Sequence, residues 1–164
     1  MHPVEVEKLL REATILVDTR EQLNERFESR TKQFDIPYDR VTLSYGDYSI
    51  KTGSVDMRSR VIIERKMNLD ELAVCFTTTR KRFEREVQRA HADGCKVYLM
   101  VENASFDILY SAESYKLHCH SKFSSKAMLA SITAWSARYG IVPVFVNQNN
   151  SGRLINELLL RELK

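Results

Sequence analysis

The sequence predicts an α/β fold, a mixed β-sheet flanked by helices on both faces. Three observations carry this. Apolar, β-branched runs of strand length recur along the chain; segments with apolar residues at helical spacing stand between several of them; and the middle of the chain alternates apolar and polar residues between turn signals. The order is β-α, then a β-meander, then α-β-α-β-α. With 164 residues and a hydrophobic share of 43%, one real core is within reach and two are not. A single domain spanning residues 1–164 is expected.

Residues 3–11 suit a short helix with Val6, Leu9 and Leu10 on one side. "TILVD", residues 14–18, reads as a first strand that ends in a carboxylate. Residues 20–34 read as a helix, with Leu23, Phe27 and Phe34 at helical spacing and Pro37 just beyond. In "DRVTLSYGDYSI" the alternating Val41, Leu43 and Tyr45 read as a half-buried strand. Gly46 interrupts it and residues 47–50 resume it. "KTGSVDMRS", residues 51–59, supplies turn residues before the strand "RVIIERK". Together these predict antiparallel strands in a meander.

"TTTRKRFEREVQRAHADG", residues 77–94, predicts a helix with a threonine cap, an apolar stripe of Phe83, Val87 and Ala90, and Gly94 as its stop. "KVYLMVE" is a strand, and residues 103–124 read as irregular. Ser124 or Ser125 caps a helix running to Tyr139, with Met128, Ile132 and Trp135 on one face and Gly140 at its end. "IVPVFV" is a strand whose Pro143 suits an edge. Residues 147–152 link it to a last helix, 153–164.

Composition narrows the function classes. The net charge of +3 and pI of about 8.8 fit a polyanionic partner without requiring one. No run approaches the roughly 18 apolar residues that span a membrane, and the N-terminus lacks a basic-then-apolar signal. Cys75, Cys95 and Cys119 are odd in number and scattered, which predicts reduced thiols in a cytoplasmic protein. The triplet His118–His120 has no second Cys/His pair to complete a zinc site.

The charges carry the chemistry. In "VIIERKMNLDEL" an apolar strand runs directly into Glu64, Arg65 and Lys66. Alternation puts Ile62, Glu64 and Lys66 on one face, and Ile63 and Arg65 on the other. Asp47, one turn earlier, would stand within about 5 Å of Glu64 across an antiparallel pair. Two such carboxylates suit Mg²⁺ or Mn²⁺, and Lys66 beside them could orient or deprotonate a water or stabilise a charged transition state. A solvated strand end with cross-strand ion pairs is the alternative for Glu64, Arg65 and Lys66 alone. Asp18 shifts the balance, because a third strand also delivers an acid where burial stops. Asp70 suits a helix cap as well as a catalytic role.

"VDTRE", "GDY", "ERKMNLDEL" and "RKRFEREV" occur in the order seen in the XPF-type nuclease domain. The chain resembles this family of DNA-repair and recombination endonucleases, which includes XPF, the Mus-type subunits and Hef. The motifs span residues 14–102. The resemblance implies a restriction-endonuclease-like fold and a metal-dependent DNA endonuclease acting on branched or structured duplex. It implies Mg²⁺ or Mn²⁺ on Asp47 and Glu64 with Asp18 nearby, Lys66 as catalytic lysine, and Arg65 and Asp70 completing the motif. Arg20 and Glu21 match the end of the first motif. Arg80 matches a helix arginine that in the family follows glycine, whereas here it follows Thr79.

DNA contacts are expected from Arg20, Arg80 and the helical trio Arg82, Arg85 and Arg89, which 3/4 spacing places on one side. Residues 114–124, with Lys122, form a second candidate. No helix-hairpin-helix or helicase segment is recognisable, so a free-standing nuclease domain is expected, bacterial or phage-like and cytoplasmic, or nuclear in a eukaryote. The family works in pairs, which suggests a homodimer through helical faces near the C-terminus. The rival readings are a non-catalytic DNA-binding scaffold and an RNA-directed nuclease.

Overall fold

The computed structural model describes residues 3–53 and 55–164. Met1, His2 and Ser54 lie outside the described residues, Ser54 being one position of the turn expected at residues 51–59. Seven strands among the described residues form one sheet. They are β1 (Ala13–Asp18), β2 (Tyr38–Val41), β3 (Tyr48–Thr52), β4 (Val55–Asp56), β5 (Val61–Lys66), β6 (Lys96–Glu102) and β7 (Val142–Val146). The order is β2-β1-β3-β5-β6-β7, with β4 paired to β3. β1 runs parallel to β2 and antiparallel to β3, β3 is antiparallel to β5, and β5, β6 and β7 are mutually parallel neighbours.

The helices are α1 (Pro3–Arg11), α2 (Glu25–Thr31), α3 (Leu69–Phe76), α4 (Arg80–Ala92), α5 (Phe106–Tyr110), α6 (Ala112–His118), α7 (Ser125–Tyr139) and α8 (Ser151–Glu162). They cover both faces of the sheet, as expected. On one face Ile62, Val97, Leu99 and Val101 pack beneath α3, α4 and α7 through Leu72, Phe76, Phe83 and Trp135. On the other, Ile15, Tyr48, Ile63 and Met100 pack beneath α2 and α8 through Phe27, Ile155 and Leu159. Strand alternation assigns each side chain to its core.

Four expectations are corrected. The strand expected through Leu43 and Tyr45 ends at Val41 and lies beyond β1, parallel to it, rather than beside β3. The cause is local: a carboxylate oxygen of Asp18 accepts the Leu43 N–H at 2.8 Å and draws the chain over the end of β1. Gly46, at φ 75°, then turns it back into β3. Leu43 and Tyr45 are buried all the same. The helix expected at residues 20–34 begins only at Glu25, capped by Asn24, because Asp18 binds both the backbone N–H and the guanidinium of Arg20 and holds a turn there; Leu23 is left 66% exposed. The stretch read as irregular contains α5 and α6, capped by Ser105 and Ser111. α3 was not anticipated either; Asn68 caps it, not Asp70.

α7 and β7 match their expected bounds closely. Ser124 caps α7, Gly140 ends it at φ 65°, and β7 is an edge strand. α8 starts two residues early, at Ser151. Its second residue, Gly152, lies flush on the end of α2, where any Cβ would overlap the Arg30 carbonyl.

Candidate active site

β3 and β5 meet at Tyr48 and Ile63. Antiparallel register therefore sets Asp47 opposite Glu64, on the face shared with Ile62 and Lys66. The backbone locks this placement: Asp47 N–H donates to the Ile63 carbonyl at 2.8 Å, and Asp18 N–H donates to the Asp47 carbonyl at 2.8 Å. Asp47 Oδ2 accepts the Arg65 N–H at 2.7 Å, so the side chain continues the ladder where the strand ends. Gly46 must lie close to the sheet for this to happen, since a Cβ there would come within 2.6 Å of Ile62 Cδ1.

Lys66 is buried at 8% exposure. Its Nζ donates to Glu64 Oε1 at 2.7 Å and stands over the Phe83 ring, 5.1 Å from the centroid. Burial alone would lower the lysine pKa, but Glu64 and Asp47 more than offset it and the net shift is upward. The ammonium form that these acids favour is suited to stabilising negative charge. Asp47 shifts the opposite way for an acid. Burial, then repulsion from Glu64 and Glu21, push its carboxyl well above the usual range, against the pull of the Arg65 N–H and Lys66.

This arrangement fits a divalent metal. Asp47 Oδ1 and Glu64 Oε2 make no hydrogen bond among the described residues, and the crowded acids would be relieved by a cation between them. No group of three His, Cys, Asp or Glu side chains closes around one point among the described residues. The site therefore offers two carboxylates and leaves the remaining positions to water and substrate, as Mg²⁺ commonly accepts.

The other expected residues are distributed differently. Asp18 is fully buried. Its Oδ1 accepts from Arg20 N and Nε at 2.8 and 2.6 Å, and its Oδ2 from Leu43 N and Arg20 Nη2 at 2.8 and 3.3 Å. Burial raises its pKa, but these bonds outweigh it and the net shift is downward. The expectation that Asp18 helps hold the metal does not fit this saturated carboxylate, which instead shapes the turn beside the site. Asp70, expected in the catalytic motif, binds the loop after α6 and none of the site residues.

Arg65 points to the opposite face. It pairs with Glu21 at 3.4 Å and Glu102 at 3.3 Å, and Glu21 also accepts from Arg30 and the Tyr48 hydroxyl at 3.0 and 2.6 Å. Arg65 Nε and Glu102 Oε1 have no hydrogen-bond partner among the described residues. This buried network braces the strand ends from behind. Sequence reasoning passed over Glu102, although "KVYLMVE" ends in an acid just as "TILVD" does. Arg30 gave no signal at all.

Of the expected DNA contacts, Arg82, Arg85 and Arg89 are exposed on α4, as is Lys122 on its loop. Arg20 is engaged by Asp18, and Arg80 lies over the Trp135 ring at 5.9 Å.

A profile of the ERCC4 domain matches residues 17–158, which covers the end of β1, all the later strands, the site and most of α8. The chain belongs to the ERCC4 domain family. Among solved structures, XPF from Aeropyrum pernix is 17% identical, covering 92% of this chain and 62% of its own, with a TM-score of 0.66. A second structure, XPF from Aeropyrum pernix in complex with DNA, is 18% identical over 91% of this chain and 64% of its own, with a TM-score of 0.63. At such identities the likeness is one of fold, and this ERCC4 domain spans less than two thirds of either solved chain. No curated protein matches it.

Proposed function

We propose that this ERCC4 domain is a metal-dependent DNA endonuclease that hydrolyses phosphodiester bonds in branched or structured duplex. The observation that carries this reading is the facing pair Asp47 and Glu64, each with a free carboxylate oxygen, with the Lys66 ammonium 2.7 Å from the other Glu64 oxygen. Family membership and the DNA-bound XPF of the same fold support the choice of substrate.

Mg²⁺ or Mn²⁺, when bound, would activate a water and polarise the phosphodiester. Asp47 and Glu64 would hold it. Lys66, kept cationic by Glu64 and seated on Phe83, stands where it can stabilise charge developing on the phosphate. Arg65 acts from behind the sheet by fixing the strand ends. The exposed arginines of α4 offer a surface for the phosphate backbone. A groove of about 370 Å³ along α8, where Leu154, Leu158 and Leu160 alternate with polar and charged residues such as Glu157 and Arg161, is the surface we assign to a homodimer.

The test is nicking of flap, fork, Holliday-junction and linear DNA and of RNA, in Mg²⁺ and in Mn²⁺. Asp47→Ala and Lys66→Ala are each expected to lose about 10²-fold or more of the rate. Full activity in both variants would remove the site, and preferential cleavage of RNA would remove the DNA assignment.

A further inference from the structure

The acid four residues beyond Lys66 has a separate task. Asp70 lies in the first turn of α3, and its one carboxylate binds three consecutive residues of the loop after α6. Its Oδ1 accepts from His120 N at 2.7 Å and Ser121 N at 3.1 Å, with Cys119 Sγ at 3.5 Å. Its Oδ2 meets His120 Nδ1 at 3.1 Å. Ring packing runs alongside. Phe123 stands 6.3 Å from Phe76, Phe76 stands 6.3 Å from Phe83, and Phe83 carries the Lys66 ammonium. The loop is therefore tied to the candidate site by a polar clamp and by a continuous apolar contact.

The chemistry of this stretch is one-sided. Between Glu113 and Glu157 the sequence contains no acidic residue. Lys116, His118, His120, Lys122 and Lys126 are all exposed. Asp70 is the only acid hydrogen-bonded to residues 118–122 among the described residues, and its oxygens are taken up by loop donors. A basic surface whose one hydrogen-bonded acid among the described residues is Asp70, tied through α3 and Phe83 to the elements that carry Glu64 and Lys66, matches a second phosphate contact on a strand that already crosses the site.

We infer that residues 116–126 contact the backbone of the DNA flanking the cleaved bond, and that Asp70 is a positioning residue that holds this contact in register. The inference rests on the endonuclease reading for its substrate. It adds to that reading a role for Asp70 that involves neither metal nor water.

The experiment pairs fluorescence anisotropy of a forked DNA in Ca²⁺, across a salt series, with steady-state cleavage in Mg²⁺. Replacing Lys116 and Lys122 together by alanine is expected to weaken binding about tenfold and to lower the salt slope by about 2. Asp70→Ala is expected to raise KM by a similar factor with the saturated rate within about threefold, the mark of lost ground-state binding. Asp70→Asn, which keeps an oxygen for the loop N–H groups, should recover most of KM. Parent-like binding by the lysine variant overturns the inference. So does an Asp70→Ala variant that loses its saturated rate at unchanged KM. A parent that binds DNA through these lysines but cuts nothing removes the endonuclease reading alone. A parent that cuts while the lysine variant binds normally removes only the loop contact, and a parent that binds no DNA removes both.

Discussion

Asp47 faces Glu64, with Glu21 close by, and burial adds to their mutual repulsion. An acid whose folded pKa is raised costs nothing below its unfolded value of about 3.9, and progressively more as pH climbs through the folded value. The metal-free protein therefore loses stability from the ordinary carboxylate range upward. Asp47→Asn keeps an acceptor for the Arg65 N–H and removes the charge, so it should melt higher than the parent near neutral pH. Each ~1 kcal/mol relieved corresponds to about 2–4 °C in a domain of this size. Calorimetry of both proteins without metal, at about pH 5 and about pH 7.5, checks this; a gap that fails to widen with pH contradicts the assignment. Added Mg²⁺ should raise the parent's Tm and leave that of the variant unchanged.

At the scale of elements, α4 does two jobs with two faces. Phe83, Val87 and Ala90 are buried, while Arg82, Arg85 and Arg89 are exposed. If the exposed face follows a phosphate backbone, replacing all three arginines by alanine should lower the slope of log K against log salt by up to about 3. An unchanged slope would place the DNA elsewhere. This helix was legible because its periodicity is regular and thirteen residues long. α7 was legible for the same reason, with Ser124 and Gly140 as clear ends. α3, α5 and α6 were not, because pieces of five to eight residues show too little period to separate from loop. The facing of Asp47 and Glu64 followed from alternation and one turn. The paths of Asp18 and Asp70 did not, because each is decided by hydrogen bonds to residues 25 and 50 positions away. The placement of β2 failed for the same reason: no local signal says that Asp18 will capture Leu43.

For the whole molecule, one sheet separates two apolar cores; of the strands that form the site, β5 contributes to both and β3 to the core beneath α2 and α8. Damage on either side should therefore reach the same cooperative unit. Leu72→Ala on one side and Leu159→Ala on the other remove fully buried side chains, and each is expected to cost about 2–5 kcal/mol. Urea denaturation followed by tryptophan fluorescence and by circular dichroism should give coincident transitions for both variants. Separate transitions for the α8 side and the Trp135 side would show that the faces unfold independently.

Gly152 gives this coupling a consequence for sequence variation. The Arg30 carbonyl leaves no room for a side chain there, and the same Arg30 donates to Tyr48 and Glu21 behind the strand ends. A substitution that wedges α8 away from α2 would disturb the bracing of Arg65 without touching any group proposed to meet substrate. In a saturation library selected for nuclease activity, Gly152 should tolerate replacement as poorly as Asp47 does, although it carries no chemistry. Its intolerance would be read in the loss of soluble protein, where that of Asp47 would be read in turnover alone.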